Sequence, residues 1–162
     1  MKGECKLLAT TLCYIEHNGC YLMLHRISKA NDPNQDKWIG VGGKFEEGES
    51  PEECVLRETR EETGLTLTKF QYRGLVTFVC PPWESEHMHL FTATEFTGTL
   101  TDCDEGVLEW VPIARVPELP LWQGDHIFHR LLLERIPVFS LQLVYDHGVL
   151  QNAILNGEPM SL

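Results

Sequence analysis

Missing from these 162 residues are paired cysteines, long apolar runs and an excess of positive charge. The six cysteines, Cys5, Cys13, Cys20, Cys54, Cys80 and Cys103, stand singly with no CxxC pair. That argues against a zinc ribbon or a disulfide frame and predicts reduced, mostly buried thiols in a cytoplasmic protein. No stretch approaches the roughly 18 to 20 apolar residues of a membrane-spanning helix. Thr10, Thr11 and Glu16 interrupt the N-terminal run before a signal-peptide core could form. With 24 acidic against 13 basic residues, the net charge of −11 repels nucleic-acid backbone and anionic membrane alike. Neither is an expected partner, and an anionic ligand would need divalent cations between it and the protein.

What is present is enough apolar sequence, 43% of residues, for one domain with a proper core, and too little length for two. Residues 1–162 are therefore expected to form a single domain. Apolar, β-rich runs at 5–15 and 20–26 flank Asn18-Gly19, a hairpin turn signal. The polar segment "SKANDPNQDK" reads as a loop. Strands are predicted at about 66–79 and 88–96 and in "GVLEWVP". Pro112, Pro117 and Pro120 punctuate a short helical or turn segment, and "GDHIFHRLLLERI" carries apolar residues at helical spacing. The end, "VFSLQLVYDHGVLQNAIL", alternates like strands around the turn "DHG". Together these give a mixed α/β fold with strands on both sides of a central helix.

That central helix lies in "GGKFEEGESPEECVLRETREETGL", residues 42–65. Ser50 is a capping residue, Pro51 fits the first helical position, and Glu53 completes a reciprocal capping box. Gly64 supplies the stop, so the helix is predicted over 51–63. Glu58, Glu61 and Glu62 then share one face at i, i+3 and i+4, in the C-terminal half where the helix dipole disfavours negative charge. Each like-charge pair costs a few tenths of a kcal/mol without a counter-ion. A solvated acidic face is one reading of such a cluster, and a site for hard divalent cations is the other.

The spacing decides between them. Gly43, five residues, Glu49, seven residues and then Arg57-Glu58-Thr59-Arg60-Glu61-Glu62-Thr63-Gly64-Leu65 resembles the Nudix box, GX5EX7REUXEEXGU, with Thr59 where an aliphatic residue is usual. The resemblance implies the family's mixed β-sheet core sandwiched between helices, an α/β/α fold. It also implies hydrolysis of nucleoside diphosphate derivatives with Mg2+, for which Mn2+ can substitute. By matching position, Glu58, Glu61 and Glu62 would be metal ligands with the Gly43 carbonyl. Arg57 would orient them, Glu49 would hold Arg57, and Glu58 would be the helix acid best placed to take a proton from water. In "TDCDEGVLEW", Asp104 and Glu105 offer a further acid, and Glu105 is favoured as ligand or base.

Substrate choice lies outside the box. Trp38 precedes it, and "LPLWQGDHIFHRLLL" is similar to the base-reading segment of 8-oxo-dGTP diphosphatases, which makes Trp122 the stacking ring and Asp125 the acid on the base edge. Ile39 stands where that branch has an asparagine, and Gly124 replaces one of two adjacent aspartates. Two polar base contacts are thereby lost, so strict 8-oxoguanine selectivity does not follow. Arg26 and Lys44 are expected phosphate contacts, and Trp83 lies in a loop placed to close over the pocket. The implied activity is hydrolysis of a purine nucleoside triphosphate, oxidised forms among them, to monophosphate and pyrophosphate. A nucleotide sugar, ADP-ribose or a dinucleoside polyphosphate is the alternative substrate. A nucleotide-sensing regulator of the same fold is the non-enzyme alternative, but such modules commonly lose box glutamates that this chain keeps.

Overall fold

Two apolar faces of one sheet, each covered by a helix, organise the computed structural model of this chain, which describes residues 6–28 and 30–162. Cys5, at the start of the first expected strand, lies outside the described residues, as does Lys29 of the polar loop. Strand β1 (Leu7–His17) turns through Asn18 and Gly19 into β2 (Cys20–His25). Both turn residues take positive φ, 51° and 72°, the conformation of a tight hairpin turn that Asn-Gly favours. There follow β3 (Trp38–Ile39), α1 (Pro51–Thr63), β4 (Leu65–Val79), β5 (Ser85–Gly98) and β6 (Val107–Pro112). A 3-10 turn over Ile113–Glu118, α2 (Gln123–Leu133), β7 (Phe139–Asp146), β8 (Val149–Leu155) and β9 (Glu158–Pro159) complete the order.

The sheet runs β3-β2-β1-β5-β4-β7-β8-β9, with β6 paired to β2. β1 pairs with β5, and β4 with β7, in parallel. β1 is buried on both faces because it lies inside the sheet, and its apolar run is continuous for that reason. Leu12 and Tyr14 pack on one face with Phe128, Leu131 and Leu132 of α2. Cys13 and Ile15 pack on the other with Val55 of α1. This is the expected α/β/α arrangement.

Helix α1 begins and ends at the predicted residues. The Ser50 hydroxyl accepts the Glu53 N–H at 3.1 Å, Glu53 accepts the Ser50 N–H at 3.1 Å, and Gly64 closes the helix at φ 81°. β5 is longer than expected, because its polar ends, Ser85 to His87 and Thr97-Gly98, are held by neighbouring strands and carry no apolar signal of their own. Cys13, Cys54 and Cys80 are buried, Cys20 and Cys103 are half-buried, and all five are free thiols. No helix among the described residues is long and apolar enough to cross a membrane.

Candidate active site

The site is built where the chain between β3 and α1 lies back along β1. Thr11 N–H donates to Gly43 O at 2.9 Å, Cys13 N–H to Val41 O at 2.6 Å, and Phe45 N–H to Ala9 O at 3.1 Å. A Cβ at Gly42 would strike the Thr11 carbonyl, and one at Gly43 would strike the Glu58 carboxyl. The two glycines thus let α1 bring Glu58 directly against this backbone. The Gly43 carbonyl, an expected metal ligand, accepts the Thr11 N–H and, in a longer contact at 3.7 Å, the Cys54 thiol.

Arg57 arranges the acids of α1. Its Nε and Nη2 donate to the two Glu49 oxygens at 2.7 and 2.8 Å, a bidentate pair that holds Glu49 down to about 2. Its Nη1 donates to Glu58 at 2.8 Å and to Glu61 at 3.1 Å, and Nη2 also reaches Lys44 O at 3.0 Å. Helical spacing alone suggests three equivalent carboxylates, but they occupy different environments. Glu61 turns outward to Arg57 and is exposed. Glu62, expected on a solvent-facing surface with the others, is buried at 8% exposure, because the helix face that carries it turns under residues 40–43. Gly42 N–H donates to Glu62 Oε1 at 2.7 Å, while Oε2 is buried with no hydrogen-bond donor among the described residues. Burial raises the Glu62 pKa against the pull of the Gly42 N–H, and the Glu105 carboxyl beside it raises it further. Burial also raises Glu58, with Arg57 opposing.

Among the described residues no three His, Cys, Asp or Glu side chains converge on one point. The available donors are carboxylate and carbonyl oxygens, which suit Mg2+, an ion that keeps waters and takes substrate oxygens. The orphaned Glu62 Oε2 is an anionic oxygen that such a cation would satisfy. These residues therefore fit a divalent ion held by a few protein oxygens and completed from outside.

A cleft of about 680 Å³ opens beside these acids. Its lining includes Gly43, Lys44, Glu58, Arg26 and Glu105, together with Ile39, Trp122 and Asp125. Arg26 is engaged by acids, with Nε on Asp32 at 2.8 Å and Nη1 on Glu105 at 2.7 Å. Trp122 donates its Nε1–H to Asn34 Oδ1 at 2.8 Å and meets Phe78 and Tyr145 edge-on, with ring centroids 5.1 Å away in each case. Lys37 Nζ lies 5.3 Å from the Trp122 ring centre. Trp83 also lines the cleft. Trp38 does not: its ring stacks on His25 at 4.4 Å, and its backbone N–H is tied to Pro120 O.

Asp125 is buried, which raises its pKa to about 8 although Lys37 opposes the shift. An acid whose folded pKa exceeds its unfolded one stabilises the fold most at low pH. That contribution is lost as pH rises from about 3.8 toward about 8. Urea unfolding of Asp125→Asn between pH 5 and 8 is therefore expected to show a flatter pH dependence than the parent. The two stability curves should diverge by on the order of a few kcal/mol in favour of the variant's high-pH end. Parallel curves would mean that Asp125 ionises freely.

With this geometry, a family model for the NUDIX domain matches residues 7–132. This chain belongs to the Nudix family. A Nudix hydrolase of Bacillus subtilis, YvcI, is 32% identical over 126 residues, covering 74% of this chain and 75% of that protein. Mouse oxidized purine nucleoside triphosphate hydrolase is 35% identical over 101 residues, 61% of this chain and 64% of the mouse protein, just under two thirds of its length. The crystal structure of a MutT protein from Bacillus halodurans superposes with a TM-score of 0.81 at 29% identity, covering 94% of this chain and 99% of that one. The chain is a Nudix hydrolase, and such hydrolases generally use divalent metals such as Mg2+.

Several cleft residues of this Nudix chain, among them Asn34, Phe78 and Glu86, were invisible to sequence reasoning. Glu86, on β5, lines the cleft and accepts the Thr10 hydroxyl at 2.6 Å. Its only signal was a charged residue in "SEHMHLF", where alternation leaves open which face of the sheet it occupies.

Proposed function

We propose that this chain hydrolyses purine nucleoside triphosphates, oxidised forms among them, to the monophosphate and pyrophosphate with Mg2+ as cofactor. The observation that carries this reading is one cleft lined both by oxygen donors, Glu58, Glu105 and Gly43, and by a partly accessible ring and a buried acid, Trp122 and Asp125. Triphosphate and base ask for those two environments at once. The bound metal would neutralise phosphate oxygens and lower the pKa of the attacking water.

The chain's own groups supply the rest. The carboxylates of Glu58, Glu61, Glu62 and Glu105 and the Gly43 carbonyl are the oxygens from which the cation would take its few protein ligands. Arg57, clamped by Glu49, keeps Glu58 and Glu61 in register. Glu58 takes the proton from water, a role that its pKa, raised by burial, suits. Arg26 and Lys44 meet phosphate charge, and Arg26 exchanges Glu105 for it. Trp122 and Ile39 form the apolar bed of the base, and Asp125, held largely protonated at neutral pH, can donate to it. Trp38 acts through β3 and the 37–40 backbone, since its ring lies away from the cleft.

Continuous strand pairing from β1 to β9 supports one folded unit across the described residues, and the net charge of −11 favours a small nucleotide over a nucleic-acid polymer or membrane. The charge balance and cysteine usage favour a cytoplasmic setting. A panel of purine and pyrimidine triphosphates, 8-oxo-dGTP, nucleotide sugars, ADP-ribose and dinucleoside polyphosphates, assayed with Mg2+ and with Mn2+, tests the reading. Purine triphosphates are expected to lead in kcat/KM by at least about tenfold. A lead for any of the last three classes would replace the reading with a different Nudix substrate.

A further inference from the structure

The cleft holds an acid that the hydrolysis just proposed does not use. Glu86 pairs in the sheet with Leu8 of β1 on one side and Phe78 of β4 on the other. Directly paired residues stand about 5 Å apart, and the Phe78 ring in turn meets Trp122. Leu8, Glu86, Phe78 and Trp122 thus form a row across the cleft floor, and Glu86 is its charged member. Thr10 Oγ1 donates to Oε2 at 2.6 Å and fixes the carboxyl plane, while Oε1 takes no hydrogen bond among the described residues. Burial raises the pKa of this group, and the Thr10 hydroxyl and the charge of Lys44 draw it back. Glu86 is half-buried, and an acid that loses part of its hydration costs stability unless something pairs with it; no cation among the described residues makes an ion pair with it.

We propose that Glu86 is a specificity-determining residue, whose carboxylate accepts the two adjacent N–H groups on the Watson–Crick edge of a guanine-type base. The inference rests on the nucleotide reading given above. The chemistry selects the base. A carboxylate offers two parallel acceptors and matches two parallel N–H donors, as it does with a guanidinium. Guanine presents such a pair, the ring N1–H and the exocyclic amino group. Adenine and cytosine each set an amino donor beside a ring-nitrogen acceptor, whose lone pair would face the carboxylate. Thymine sets one N–H between two carbonyl oxygens. Leaving a buried acceptor facing an acceptor is what a hydrogen-bonding site rejects most strongly. Oxidation at C8 does not alter the guanine donor pair, so Glu86 serves guanine and 8-oxoguanine equally and does not distinguish them.

The test separates base recognition from turnover. Metal-free protein is titrated calorimetrically with dGMP, dAMP, dCMP and dTMP, for the parent, Glu86→Gln and Glu86→Leu. The parent is expected to bind dGMP about tenfold or more tightly than the others, and both variants are expected to lose that preference. Glu86→Gln offers one donor beside one acceptor, the complement of the adenine and cytosine edges, so dAMP and dCMP binding should tighten in Gln and not in Leu. In turnover, kcat/KM for dGTP and 8-oxo-dGTP should fall by the same factor, mostly through KM, with their ratio unchanged. Equal weakening of all four monophosphates would make Glu86 a structural residue and overturn the proposal, as would an unchanged dGMP preference. A chain that prefers dGMP through Glu86 yet hydrolyses no triphosphate would sink the proposed function alone.

Discussion

Glu62→Gln is expected to lower Mg2+-dependent turnover by roughly two orders of magnitude or more, the scale on which single charged groups at a reacting centre register. The same change is expected to make the protein more stable at neutral pH. Both effects follow from where Glu62 stands. Its Oε1 accepts Gly42 N–H, which the glutamine amide oxygen can replace. Its Oε2 is buried, undonated and beside Glu105, which is favourable only when a proton or a cation is present. Burial raises the folded pKa above the unfolded one. The parent is therefore most stable below the ordinary carboxylate pKa and loses stability as pH rises through the shifted value. A neutral amide does not titrate. Metal-free melting curves at pH 5 and pH 8 should thus show the variant gaining on the parent as pH rises. A gain on the order of 1 kcal/mol moves Tm by about 2–4 °C. A variant that keeps near-parental kcat would remove Glu62 from the metal site, and one that loses stability with pH like the parent would show that the carboxyl is not the cause.

The local half of this site was legible in the sequence because its signals are local. Ser50, Pro51, Glu53 and Gly64 specify α1 to the residue, since capping chemistry acts within one turn. The Arg57 pairing with Glu61 follows from spacing once the helix is placed, and the pairing with Glu49 follows from the resemblance to the Nudix box. The inequivalence of Glu61 and Glu62 was not legible, because it depends on residues 40–43 crossing β1, and nothing in the helix encodes that crossing. Glu86 was hidden for a similar reason: its face is fixed by the parallel pairing of β1 with β5, a contact between segments far apart in the chain. Trp38 shows the converse. An aromatic ring close to the box in sequence is turned onto His25 by the β2–β3 pairing and leaves the cleft to Ile39.

Trp122→Ala is expected to cost about 3–5 kcal/mol of stability and to raise KM for a purine triphosphate more than it lowers kcat. The stability loss follows from burial: Trp122 is 9% exposed and packs edge-on against Phe78 and Tyr145. The KM effect follows from the side of the ring that lines the cleft, where a base would stack, and from the loop that the ring secures. Its Nε1–H holds Asn34, and Asp32, Pro33 and Asn34 form part of the cleft wall. Trp122→Phe separates these contributions. It keeps an aromatic surface for the base and most of the packing but releases Asn34, at about 0.5–1.5 kcal/mol for a part-buried hydrogen bond. If stacking governs affinity, the phenylalanine variant should retain a KM near that of the parent while alanine does not. If the Asn34 tether governs it, both variants should show the same raised KM. An alanine variant with lowered stability and parental kinetics would leave Trp122 to the core alone, and base recognition would then rest on Glu86 and Asp125.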